Sequence, residues 1–138
     1  MPLSQLLVDA ALRQAIERFP TGCAGAAAVE TDSGRIITSV SFDAPNEAVS
    51  LCHEAGAFCE ANRLGERVVA SVCVSRSLPE RSFLILPPCG ICQERLAVWG
   101  PEVEVAVSVP GNPGAWQSKR LRELNPHYWL DSVRDAGE

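Results

Sequence analysis

Apolar residues recur at helical spacing over residues 4–18, where Leu6, Leu7, Ala10, Ala11 and Ile16 gather near one face and Gln14, Glu17 and Arg18 lie off it. Phe19-Pro20 closes that helix, since proline cannot continue it. The runs AGAAAVE (24–30) and RIITSVSF (35–42) then flank TDSG, whose Asp, Ser and Gly suit a tight turn, and together they predict a β-hairpin. Helical spacing returns from Cys52 to Arg63, with Leu51, Ala55, Phe58, Cys59 and Ala61 apolar and Gly65 as the stop. RVVASVCVS (67–75) is apolar at most positions, as a central strand covered on both faces requires, and SFLIL (82–86) reads as another buried strand. Pro87-Pro88 forbids continuation, so CGICQERLAVW (89–99) forms a helix opened by Cys89 and stopped by Gly100-Pro101. VEVAVSV (103–109) carries Val at every second position, which predicts an outer strand with one wetter face; PGNPG then reads as a loop and WQSKRLREL (116–124) as a short helix.

Strands joined through helices predict a mostly parallel part, and the hairpin adds an antiparallel part. The expected architecture is a three-layer α/β/α sandwich with a mixed, roughly five-stranded sheet, in one domain spanning residues 1–138 with no internal repeat.

Composition narrows the partners. Twelve basic and seventeen acidic residues among 138 give a formal charge of −5, with no basic run to neutralise a nucleic-acid backbone. The expected ligand is a small neutral or cationic molecule rather than DNA or RNA. The first residues carry no basic segment followed by an apolar core, and nowhere does an apolar run approach twenty residues, so a soluble cytoplasmic protein with no membrane partner is expected. Six cysteines without a secretory context point to metal ligation or plain burial rather than to a disulfide framework.

Cys89 and Cys92 have the C-x-x-C spacing, which suits two thiolates on one metal, or a thioredoxin-like redox pair, or two buried small hydrophobes. Cys52 lies two residues ahead of Glu54 at the start of the predicted second helix, a third thiol beside a carboxylate. Cys52-His53-Glu54, followed after thirty-three residues by Pro88-Cys89-Gly90-Ile91-Cys92, resembles the zinc nucleoside deaminases, whose pattern is Cys or His, one residue, Glu, and later Pro-Cys-x-x-Cys. The chain is thereby similar to the cytidine deaminase family, blasticidin S deaminases included. FPTG and GAAAVETDSGRI resemble the start of that family's hairpin, and LRELNPHYW resembles its Glu-Leu-x-Pro tail, so the likeness covers most of the chain.

The resemblance implies Zn²⁺ held by Cys52, Cys89 and Cys92 with a fourth position left to water, and Glu54 moving protons rather than ligating. The implied reaction converts a cytosine-type nucleoside to its uracil counterpart plus ammonia; the alternatives are blasticidin S or another modified aminopyrimidine as substrate, or a non-catalytic zinc protein on the same fold. Cys23, Cys59 and Cys73 are expected in the core. His53 has the wrong offset to replace Cys52 as ligand; it stands where the family commonly has Ala, and either contacts substrate or points away onto a neighbour. Phe19 resembles a family Phe that stacks on the base, or else packs in the core.

The chain also departs from the family. Where members often carry Asn-x-Glu reading ribose hydroxyls, this sequence has Ser41 and Asp43, which either read a substrate differently or merely end a strand. Where small members often place Arg beside the catalytic Glu and after the last zinc Cys, it has Ala55 and Gln93-Glu94. Loss of those cations is expected to leave more negative charge on the thiolates and to raise the pKa of the activated water. Tyr128, Trp129 and Trp116 either cover the site or anchor their segments to the core. Family members of this size are homotetramers, so a homo-oligomer, tetramer or dimer, is implied.

Overall fold

In the computed structural model, which describes residues 2–137, the chain runs α1 (Gln5–Arg18), β1 (Ala24–Thr31), β2 (Ile36–Ser39), α2 (Ala55–Leu64), β3 (Val68–Arg76), β4 (Leu84–Ile85), α3 (Gly90–Leu96), β5 (Glu104–Val109), β6 (Asn112–Arg120), α4 (Leu121–Leu124) and α5 (Trp129–Asp135). The sheet has the order β2-β1-β3-β5-β6, with β4 added antiparallel to the far end of β3.

Alternation along the central strands divides the interior into two layers. Ala24, Ala26 and Ala28 of β1 and Ala70, Val72 and Val74 of β3 face one way and pack with Leu7, Val8, Ala11 and Ala15 of α1. Val29 of β1, Val68 of β3 and Val105 of β5 meet Ala57, Phe58 and Ala61 of α2 and Cys92 and Leu96 of α3 on the other side. The α/β/α sandwich is therefore as expected, with small side chains on β1 letting α1 lie close to the sheet.

Several local expectations are corrected. The buried face of α1 is Leu7, Val8, Ala11 and Ala15, while Leu6 and Ile16 are exposed. Among the described residues only β3 and β5 pair in parallel, and the other strand pairs are antiparallel. SFLIL contributes just two residues of strand, and Leu84 and Leu86 are exposed. β5 is not an outer strand, because residues 112–120 form the edge strand β6 in place of the predicted helix and leave only Leu121–Leu124 helical. The cause is the Pro110-Gly111 corner: Gly111 has φ 79°, the left-handed backbone a tight turn needs after proline, and it folds residues 112–120 back along β5. Cys73 is buried as expected, whereas Cys23 and Cys59 are exposed. Among the described residues no helix is long and apolar enough to cross a membrane.

Candidate active site

Two backbone ladders deliver the three thiols to one place. Phe42 and Leu51 exchange backbone hydrogen bonds at 3.2 and 2.8 Å, pinning the chain just before Cys52. The Ala55 N–H then donates to the Cys52 carbonyl at 3.1 Å, so Cys52 lies one turn ahead of α2 and the helix begins three residues later than its period suggests. On the other side, the Leu86 N–H donates to the Cys73 carbonyl at 2.9 Å and ties the Pro87-Pro88 segment to β3. Cys89 follows in extended conformation as the N-cap of α3, and its carbonyl accepts from the Gln93 N–H at 2.8 Å.

The sulfurs of Cys52, Cys89 and Cys92 all lie within 4.8 Å of one another, with Cys52 Sγ and Cys89 Sγ 3.7 Å apart. Tetrahedral zinc with Zn–S bonds of about 2.3 Å separates neighbouring sulfurs by about 3.8 Å, so this donor set fits zinc. Three soft thiolates also select zinc over magnesium or calcium, which favour oxygen. The thiols differ in acidity. Burial pushes Cys52 and Cys92 up, aided in each case by the Glu54 charge. Burial also opposes ionisation of Cys89, but the Cys92 backbone N–H, the Cys52 thiol and the Ile91 N–H outweigh it and bring Cys89 below its ordinary value.

Cys52 and Cys89 open onto a cavity of about 480 Å³ lined also by Ser41, Asp43, His53, Glu54 and Cys73, among others, while Cys92 is buried beneath it. Glu54 is only 4% exposed, and its side chain forms part of that lining. A larger groove of about 870 Å³ between α1 and the β4 and β6 region is lined by no titratable side chain, so volume alone does not locate the chemistry.

His53 is set apart from the thiols. Its Nδ1 accepts from the Ser41 N–H at 3.1 Å, and its backbone carbonyl accepts from Ser39 Oγ at 2.5 Å. The ring lies against Gly25 of β1, where an added Cβ would stand 2.5 Å from Nε2. Burial lowers the His53 pKa against the opposing pull of Glu54 and Asp43, which favours the neutral ring that this acceptor role demands. His53 thus holds the Ser41 backbone and also borders the cavity. Ser41 Oγ donates to Asp43 Oδ2 at 2.9 Å, so the two polar side chains of this rim are joined to each other.

Phe19 is not brought to the cavity. It caps the C-terminal end of α1, packs against the α1 layer and carries the Arg18 guanidinium over its ring at 4.7 Å. Nor does Trp116 reach the site: its Nε1–H donates to Gln5 Oε1 at 2.8 Å, on the α1 side. Trp129 Nε1–H donates to Glu94 Oε1 at 2.8 Å and its ring meets Tyr128 edge-on, so both anchor the C-terminal segment onto α3. The expected want of cations is also corrected. Arg95 Nη1 donates to Cys92 Sγ at 3.5 Å, an interaction readable in retrospect from its position one helical turn after Cys92.

No family model matches the chain. Its fold is similar to the crystal structure of the cytidine deaminase from Bacillus anthracis, with 37% sequence identity and a TM-score of 0.88 over 96% of this chain and 93% of that one. A variant of the cytidine deaminase from Mycobacterium tuberculosis is similar at 26% identity and a TM-score of 0.69, over 93% of this chain and 96% of that one. The blasticidin-S deaminase of Bacillus cereus is 29% identical over 89 residues, a match spanning 62% of this chain and 64% of that protein's length.

Proposed function

The chain belongs to the cytidine deaminase family, and from that premise we propose that it hydrolyses the 4-amino group of a cytosine-type nucleoside, cytidine or deoxycytidine, to the uracil nucleoside and ammonia. The observation that carries this reading is the cluster of three thiols, two of which line a single open cavity together with one buried carboxylate.

Cys52, Cys89 and Cys92 would hold Zn²⁺, which supplies Lewis acidity that makes water nucleophilic near neutral pH. Three protein ligands are one fewer than a closed structural zinc site uses, so the group would be held with a position free for a reactant. Glu54, buried beside the sulfurs, takes a proton from the attacking water and gives it to N3 of the pyrimidine ring, so that C4 becomes tetrahedral. It then carries the second proton to the 4-amino group, which leaves as ammonia. Ser41 and Asp43 form the polar rim against which a sugar would rest, and His53 fixes that rim through the Ser41 N–H. The neutral imidazole borders the same cavity, so a substrate contact through its exposed edge is compatible with this supporting role.

A second reading keeps the chemistry and takes blasticidin S or another substituted aminopyrimidine as substrate. It is favoured by the similarity to a blasticidin-S deaminase and by the short Ser41–Asp43 pair at the rim. Zinc-loaded protein offered cytidine, deoxycytidine, cytosine and blasticidin S, with ammonia release and loss of ultraviolet absorbance as readouts, separates the two; turnover of blasticidin S alone refutes the nucleoside reading. Glu54→Gln should retain zinc while kcat falls by about 10²–10⁴, the usual contribution of a positioned acid–base group. An active Glu54→Gln variant removes Glu54 from the proton path.

A further inference from the structure

Three thiolates around a divalent ion leave one net negative charge, which makes the sulfurs strong donors and weakens the ion as a Lewis acid. Three positions near the site carry no compensating charge. Ala55 is a buried methyl, Gln93 Nε2 is engaged with the Pro88 carbonyl at 3.0 Å, and Glu94 accepts from Trp129. Arg95 is different. It projects from α3 three residues after Cys92, is half-buried, and places Nη1 3.5 Å from the fully buried Cys92 Sγ. A guanidinium at that distance offers an N–H donor and a full positive charge to one sulfur.

We propose that Arg95 is a positioning residue of the metal centre: it holds the Cys92 sulfur by an N–H···S bond and withdraws electron density from it, so that the bound ion retains the Lewis acidity the reaction needs. The inference rests on the metal-centre reading given above. A guanidinium acting in this way changes the electronic character of the thiolate, which an arginine serving only to pack α3 would not do.

Cobalt-loaded protein reads that character directly through its sulfur-to-cobalt charge-transfer absorption. In Arg95→Gln the side chain remains polar but the charge is gone, so the band moves to longer wavelength. Zinc transfer to a chromophoric chelator becomes no faster, and kcat for cytidine falls by about 10–100-fold, the usual effect of losing a partner of a metal ligand, with KM changed less than twofold. Arg95→Lys restores the charge and moves both band and kcat back toward those of the parent protein. An unmoved band in Arg95→Gln overturns the proposal, as does an Arg95→Lys variant equal to Arg95→Gln in band and kcat. Parent protein without any sulfur-to-cobalt band overturns the metal centre itself, which distinguishes the two failures.

Discussion

Replacing Gly25 with alanine tests the packing of His53 against β1. The backbone at residue 25 is ordinary strand, where alanine alone is favoured over glycine by about 0.5–1 kcal/mol because less chain entropy is lost on folding. Space reverses that sign. The new Cβ would lie 2.5 Å from His53 Nε2, 2.6 Å from Cε1 and 3.1 Å from the Val74 carbonyl oxygen. Carbon atoms in contact prefer about 3.5–4.0 Å, so the ring must retreat by about 1 Å. That movement breaks the 3.1 Å bond from the Ser41 N–H, worth about 0.5–1.5 kcal/mol. Overpacking adds about 1–3 kcal/mol. Against the entropic gain, Gly25→Ala should destabilise by about 1–3 kcal/mol. In a His53→Ala background the ring is absent and only the Val74 carbonyl remains close, so the same substitution should be within about 1 kcal/mol of neutral. Urea unfolding of the four proteins at one zinc and one protein concentration gives the coupling, expected at about 1–3 kcal/mol. The KM for cytidine should rise more than kcat falls in Gly25→Ala, because the rim at Ser41 moves while Glu54 stays. A neutral or stabilising Gly25→Ala, or equal cost in both backgrounds, would refute the account.

Glu66 provides a pH-dependent test: Ser33 first, then Arg35 and Thr31, hold its carboxylate below the ordinary value near 4.5. A depressed folded pKa means stabilisation that is complete above about pH 4.5 and lost as pH falls through the lower folded value. Glu66→Gln should therefore lower the urea midpoint at pH 7, with the difference shrinking in acid; a constant difference would show that charge is not its source. Phe58, buried and meeting Trp99 edge-on at 5.8 Å, should cost about 3–5 kcal/mol on truncation to alanine, whereas Val98→Ala, at an exposed position, should stay within about 0.5 kcal/mol. Similar costs for the two would contradict the division between core and surface. Removing zinc with a strong chelator should lower Tm and abolish turnover together, with both restored by added Zn²⁺, because a ligand bound only by the folded chain stabilises it. Unchanged Tm after verified removal would count against three-thiol ligation.

The parts of this fold that were legible in the sequence are those determined by neighbours in the chain. The extent of α1 and the presence of the β1–β2 hairpin follow from period and turn residues, although β2 stops at Ser39, short of the expected Phe42, and Cys89 opens a helix because Pro87-Pro88 leaves the strand no way to continue. Residues 116–120 were opaque because Gln, Ser, Lys and Arg carry no strong strand preference; pairing of Trp116 with Ser108 and Lys119 with Val105 makes them a strand. The Pro110-Gly111 turn was the available signal. Exposure of Cys23 and Cys59 was hidden for a related reason, since cysteine behaves as a small hydrophobe whose burial depends on what lies opposite. In the site, the resemblance to the family pattern selects Cys52, Glu54, Cys89 and Cys92 as candidates, but the same pattern points to residues 55 and 93 for a cation. The helical turn from Cys92 to Arg95 answers the same electrostatic need from another direction.

That substitution of position belongs with the unusual residue at 53. The segment 53–56 sits against the hairpin through two glycines: Gly25 admits the His53 ring, and a Cβ on Gly56 would stand 3.0 Å from the Ser39 Cβ. Ser39 in turn donates to the His53 carbonyl. The residue between these contacts is Glu54, whose backbone is also tied to α2, since its carbonyl accepts from the Phe58 N–H at 3.1 Å. An arginine at residue 55 would have to pass through the layer where Ala55 is 4% exposed. The charge beside the thiolates comes instead from α3, where Arg95 Nη1 stands 3.5 Å from Cys92 Sγ. Close packing of residues 53–56 on β1 and β2 and the placement of a cation at residue 95 are in this view two consequences of one arrangement.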